Sequence, residues 1–246
     1  MHTKEKIRHI LAELKGHSPF TLLGSFFGIL FMLAFRNSGE SSQHLLFSIF
    51  HPAHVALSAL VATSMFKIHS LKKHFLLIII IGYFGSVGIA TLSDIVIPYF
   101  STRILGLDIP SHEQIHNPDA DHSEEHLSEK SKIHFAFIDE WYVVNPAAFL
   151  GIFIAFYRPG TKFPHAAHIL ISIWASSSYL LMSIKSNVDT AAAIGIFVTL
   201  FISTWVPCCF GDIIFPLLFV KSDLQMTGSC PIHKKHSHEH TQKDNL

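Results

Sequence analysis

The sequence predicts an all-α integral membrane protein in which six transmembrane helices form two inverted three-helix repeats. Composition is the first reason: 49% of the 246 residues are apolar, only 15% are charged, and the mean hydropathy is +0.38, greasier than an ordinary soluble domain. The second is the length of the apolar stretches, at about 18–36, 45–66, 75–101, 140–157, 164–184 and 190–220, each near the ~20 residues that cross a hydrocarbon layer. The third is a set of three markers that recurs in the same order in the two halves. Eighteen basic residues balance eighteen acidic ones, so no electrostatic footprint for nucleic acid is present. Three cysteines, two of them adjacent, make no disulfide framework.

Residues 1–17 set Lys4, Lys6, Arg8 and Lys15 among apolar residues at helical spacing. With no long apolar core or cleavage site, they read as an amphipathic lead-in helix rather than a signal peptide. The first repeat covers 18–101. Its first span opens on Ser18-Pro19, which reads as a polar N-cap with Pro at the first helical position, followed by Leu23-Gly24. Its second carries His51, His54 and Ser58 as H-x-x-H-x-x-x-S, and its third carries Asp94 and Pro98 as D-x-x-x-P. A loop rich in His and acids spans 102–138.

The second repeat, 139–220, restates each marker: Asn145-Pro146 with Leu150-Gly151, then His165, His168 and Ser172, then Asp212 and Pro216. Asp139 and Glu140 at its start read as cap and headgroup-level charges. Three spans is an odd number, so the second copy is expected to run through the bilayer in the opposite sense, the usual architecture of secondary transporters. A His-rich tail, 221–246, follows. With a cytoplasmic N-terminus, only Arg36, Arg103, Lys130, Lys132 and Lys185 lie outside and the other thirteen basic residues lie inside. The positive-inside rule then places both termini in the cytoplasm and the 102–138 loop outside.

Ionisable side chains inside a bilayer are costly and mark function by default. Residues three and four apart share a helical face, so His51, His54 and Ser58 form one polar stripe and His165, His168 and Ser172 another. Asp94 and Asp212 are the acids well inside the spans. Pro98 and Pro216 each lack the N–H that would bond the carbonyl four residues back, which belongs to the Asp. Imidazole with carboxylate suits Zn, Fe, Mn, Co or Ni as divalent ions, zinc being favoured. The alternative is a kinked helix whose Asp–His hydrogen bonds only hold helices together. Cys208, one turn before Asp212, either softens the inner site as a thiolate or packs as a small apolar residue, its commoner role. The two clusters flank the midplane, as two half-sites or as one shared site if the helices lean together.

Outside the membrane, His112/His116 and His122/His126 are spaced i, i+4 in the acidic loop, and the tail offers Cys230, His233, His236, His238 and His240. Both segments read as accessory metal capture, with a solvated acidic linker and a pH sensor as the competing readings. Such loops resemble those of several divalent-cation carriers, although the HNxxD and HExxH helices of zinc-iron permeases are absent and no residue role is carried over. The expected function is a proton-coupled transporter of a divalent transition-metal ion, embedded in lipid and able to form a homo-oligomer. Two rivals remain. The His, Asp and Ser set resembles the ingredients of zinc-dependent intramembrane lipid hydrolases such as the alkaline ceramidase-like group, which implies one asymmetric site with three ligands and a zinc-bound water acting on an amide or ester. The other is a membrane metal sensor or assembly factor that binds without transport.

Overall fold

The structure, a computed structural model, describes residues 3–70, 75–107, 141–160, 162–184 and 190–219. Six helical segments account for them: α1 (Thr3–Phe35), α2 (Glu40–His69), α3 (Phe75–Ile104), α4 (Trp141–Tyr157), α5 (Lys162–Ser183) and α6, which runs from Thr190–Cys209 through Phe210–Ile214 into Phe215–Leu218. There is no strand among the described residues. Five of the helices are long and apolar enough to cross a membrane, and α4, with 17 residues, is a shorter apolar helix at the lower end of spanning length. This is a multi-pass membrane protein. The loop positions His112, His116, His122 and His126, the tail positions Cys230, His233, His236, His238 and His240, and Asp139 and Glu140 all lie outside the described residues.

The polarity of the bundle fits a lipid surround. Large apolar side chains such as Phe20, Leu23, Phe27, Phe84, Phe149 and Phe153 point outward, whereas Ser, Thr, His and Asp side chains are buried. Lipid offers no hydrophobic reason for apolar residues to turn inward, so small and polar residues make the helix contacts.

The α2–α5 pair forms the centre. Phe47 packs against Tyr179 and His54 against His168, so the two helices run antiparallel. Each is flanked by the helix that follows it, α3 beside α2 and α6 beside α5, while α1 packs on α5 and α6 and α4 packs on α2 and α3. The leading helix of each half thus lies against the other half. Gly24 and Gly151 explain the fit. A Cβ at Gly24 would run into the side chain of Ile173, and one at Gly151 into the backbone oxygen of Ala56 and, at 2.9 Å, the Cβ of Ala59. Ile173 and Ala59 each directly follow the Ser of their H-x-x-H-x-x-x-S motif, so the two contacts occupy matching positions.

Two sequence expectations need correction. Ser18-Pro19 and Asn145-Pro146 do not start helices: Pro19 and Pro146 both lie inside them. Membrane helices tolerate an internal Pro where neighbouring groups take up the freed carbonyl. Ser18 does so in α1, donating its Oγ–H to the Lys15 carbonyl at 3.2 Å, the group Pro19 cannot bond. Asn145 instead accepts from the Tyr83 hydroxyl at 2.7 Å, tying α4 to α3. The lead-in is therefore continuous with the first span, and likewise α3 runs three residues past the expected end at 101, to Ile104.

Both Asp residues sit at the third position of a π-turn, Leu92–Val96 in α3 and Phe210–Ile214 in α6. The N–H of Ile97 bonds the Leu92 carbonyl and that of Phe215 bonds the Phe210 carbonyl, and in each case Pro is the next residue. The proline ring cannot follow the α-helical ladder, and a wide turn absorbs the mismatch. In α3 the shift in bonding leaves the Ser93 carbonyl for the Ser176 hydroxyl of α5, at 3.2 Å.

Gly151→Ala adds a methyl against α2 and should destabilise the protein by ~1–3 kcal/mol, as overpacking does. Gly88→Ala, where a Cβ meets nothing within 4 Å, should leave it unchanged. Thermal melting of both variants in detergent checks the contrast.

Candidate metal centre

The expected partners meet in one buried cluster rather than two. His54 donates from Nδ1 to Asp94 Oδ2 at 2.7 Å, and His168 donates from Nδ1 to Asp212 Oδ2 at 2.7 Å. Between them the two Nε2 atoms stand 2.7 Å apart. The result is a continuous chain, Asp94–His54–His168–Asp212, with all four side chains fully buried. His51 adds a second donor to Asp94 Oδ2 at 2.9 Å, and His165 a second to Asp212 Oδ2 at 3.1 Å. Helix spacing explains the doubling, because His residues three apart on α2 or α5 reach the same carboxylate on the facing π-turn.

The carboxylates fix the tautomers. An ionised carboxylate only accepts, so each Nδ1 bound to it carries the hydrogen, and Nε2 of a neutral ring is a bare lone pair. Two bare lone pairs at 2.7 Å repel unless a cation lies between them. One shared proton supplies it as an N–H···N hydrogen bond. A metal ion supplies it as well: two nitrogens at ~2.0–2.1 Å from a tetrahedral zinc are about 3.3 Å apart, so the rings need open by about 0.6 Å. Carboxylates behind ligating imidazoles are the arrangement that orients a metal-binding His and raises its basicity.

Cys208 completes a three-donor set. Its Sγ lies 3.9 Å from His54 Nε2 and donates to Ser172 Oγ at 3.6 Å. The ligating atoms of His54, His168 and Cys208 all lie within 4.8 Å of one another. A second set, His165, His168 and Asp212, meets the same limit. His168 belongs to both.

The two serines part company. Ser172 crosses between the halves and donates to Asp94 Oδ1 at 3.4 Å. Ser58 does not join the cluster; its hydroxyl donates to the Gly85 carbonyl at 3.5 Å, because α3 approaches α2 closely there. Two contributors were missed from the sequence. Ser93 donates to Asp94 Oδ1 at 2.7 Å, and its place beside Asp94 was the available signal. His17, 7% exposed, sets its ring edge-on to His165 with centroids 4.5 Å apart. It directly precedes the Ser18-Pro19 marker, where the lead-in was divided from the span.

No protein family, curated protein or solved structure matches the chain in comparisons with each.

Removing the orienting charge in Asp94→Asn should weaken zinc binding by roughly 10–100-fold, the usual loss when the group behind a metal-bound His is changed. Lowering the pH should weaken it in the wild type too, since protons compete for the same Nε2 lone pairs. Chelator competition on the purified protein across a pH series measures both.

Proposed function

We propose that the protein is a membrane transporter of a divalent transition-metal ion, zinc being the favoured cargo, working in exchange with protons. One observation carries this reading: His54 and His168, one from each half, turn their Nε2 atoms to a single point, and each is backed by its own buried carboxylate. An intramembrane carboxylate costs ~2.5–3.5 kcal/mol even on a lenient insertion scale, and two of them call for two positive charges. One proton shared by His54 and His168 with a second on His51 or His165, or one divalent ion, supplies the same charge. Exchange of one for the other therefore leaves the interior balanced.

The inverted-repeat reading is supported by the antiparallel run of α2 and α5 and by the matched positions of the Gly24–Ile173 and Gly151–Ala59 contacts. In transporters of that design the cargo binds where the repeats meet. The basic-residue distribution supports a topology with both termini in the cytoplasm. The three donors His54, His168 and Cys208 around one point also suit a zinc-bound water, and on that observation a hydrolase of lipid amides or esters is the second reading.

Purified protein in sealed liposomes containing a zinc-sensitive dye separates these readings. A proton gradient should drive zinc across with the wild type, and Asp94→Asn and Asp212→Asn should each abolish it. Normal transport by either variant would remove that Asp from the mechanism. Lipid hydrolysis without zinc movement would assign the enzyme, and zinc binding with neither activity would assign a sensor.

A further inference from the structure

The two halves match in sequence, yet sulfur enters the centre from only one of them. Cys208 stands four residues before Asp212, and the residue four before Asp94 is Ala90, which is fully buried in the apolar cluster with Phe47 and Val55. A second asymmetry follows the first. Ser58 turns away to the Gly85 carbonyl, whereas its counterpart Ser172 accepts from the Cys208 thiol at 3.6 Å and donates its own hydrogen to Asp94 Oδ1 at 3.4 Å. The sulfur is therefore held where the halves meet, by a serine of α5 anchored on a carboxylate of α3. It stands 3.9 Å from His54 Nε2. A nitrogen and a sulfur bound to one tetrahedral zinc are about 3.6 Å apart, so this separation needs to close by only about 0.3 Å.

We infer that Cys208 sets the ion specificity of the centre, restricting its cargo to ions that bond a thiolate, Zn²⁺ and the softer Cd²⁺, against Mn²⁺, Fe²⁺ and Ni²⁺. Calling the ion cargo rests on the transport reading, whereas the binding preference belongs to the side chains alone. Two imidazoles suit zinc, iron, copper and nickel alike, and a thiolate narrows that choice. Oxygen-seeking ions find little here. Asp94 Oδ1, Asp94 Oδ2 and Asp212 Oδ2 already accept hydrogen bonds from His and Ser side chains. That leaves Asp212 Oδ1 without a partner among the described residues, one oxygen where an ion such as Mn²⁺ takes an octahedral oxygen shell. When the sulfur–metal bond forms, the thiol proton leaves together with the one between His54 and His168, while the proton on His51 or His165 stays. One divalent ion still exchanges for two protons.

Cd²⁺ and Ni²⁺ affinities of the detergent-purified protein, each measured against a competing chelator, provide the test. Every protein carries Cys230→Ser, which removes the thiol of the tail, and His54→Ala/His168→Ala reports the ions held elsewhere on the chain. The Cys230→Ser parent should bind Cd²⁺ with an ultraviolet sulfur-to-cadmium charge-transfer band. Adding Cys208→Ser should abolish the band and lower the affinity for Cd²⁺ at least tenfold more than that for Ni²⁺. Cys208→Ala, which leaves no oxygen in place of the sulfur, should do the same. A cysteine that only packs would lower both affinities alike. No band in the parent, a band retained in either Cys208 variant, or an unchanged Cd²⁺-to-Ni²⁺ affinity ratio in variants that elute as single species would each overturn the specificity role. Ion binding that still depends on His54 and His168 would in that event leave the imidazole centre and the transport reading intact, and failure of zinc to cross sealed liposomes would reject transport without altering the ratio.

Discussion

The contact between His54 and His168 is the constraint from which the rest of the bundle follows. Two neutral imidazoles held by carboxylates present lone pairs to each other at 2.7 Å, and that geometry is stable only with a proton or a metal ion between them. Holding it requires α2 and α5 to cross at this point and two π-turns to bring Asp94 and Asp212 behind the rings. The prolines that follow the Asp residues favour a wide turn there, although α3 makes another at Phe84–Gly88 without one.

Packing around the centre serves the same end. Small residues allow the leading helix of each half to lie close against the other half, at Gly24 beside Ile173 and Gly151 beside Ala59. Serine hydroxyls then cross between elements, Ser172 to Asp94 and Ser176 to the Ser93 carbonyl, so neighbouring protein groups do the work that water would do in a soluble core. Apolar side chains face outward, where lipid receives them. Polar groups satisfied inside a low-dielectric bundle rigidify it.

Much of this was legible in the sequence because it depends on spacing. The spans follow from length and hydropathy, and the pairing of His with Asp follows from two copies of one ordered pattern. What was not legible depends on which neighbour arrives. Pro19 and Pro146 resemble helix starts by rules derived where water takes up the orphaned groups; here Ser18 bonds the Lys15 carbonyl and Pro146 simply lies within α4. Ser58 and Ser172 occupy equivalent positions, yet one meets the Gly85 backbone and the other Asp94 of the opposite half. That difference comes from how closely α3 and α6 approach, which no single-helix periodicity encodes. His17 escaped notice because it precedes the apolar run, although the helix continues through it.

The claim at the centre is that imidazoles from both halves hold one metal ion. X-ray absorption at the zinc edge on the zinc-loaded protein tests this most directly. The account predicts a four-coordinate ion with at least two imidazoles at about 2.0–2.1 Å and, for an ion in the central site, one sulfur at about 2.3 Å, with that shell lost in the His54→Ala/His168→Ala double variant. An oxygen-only shell of six ligands, or a spectrum unchanged in the double variant, would contradict it.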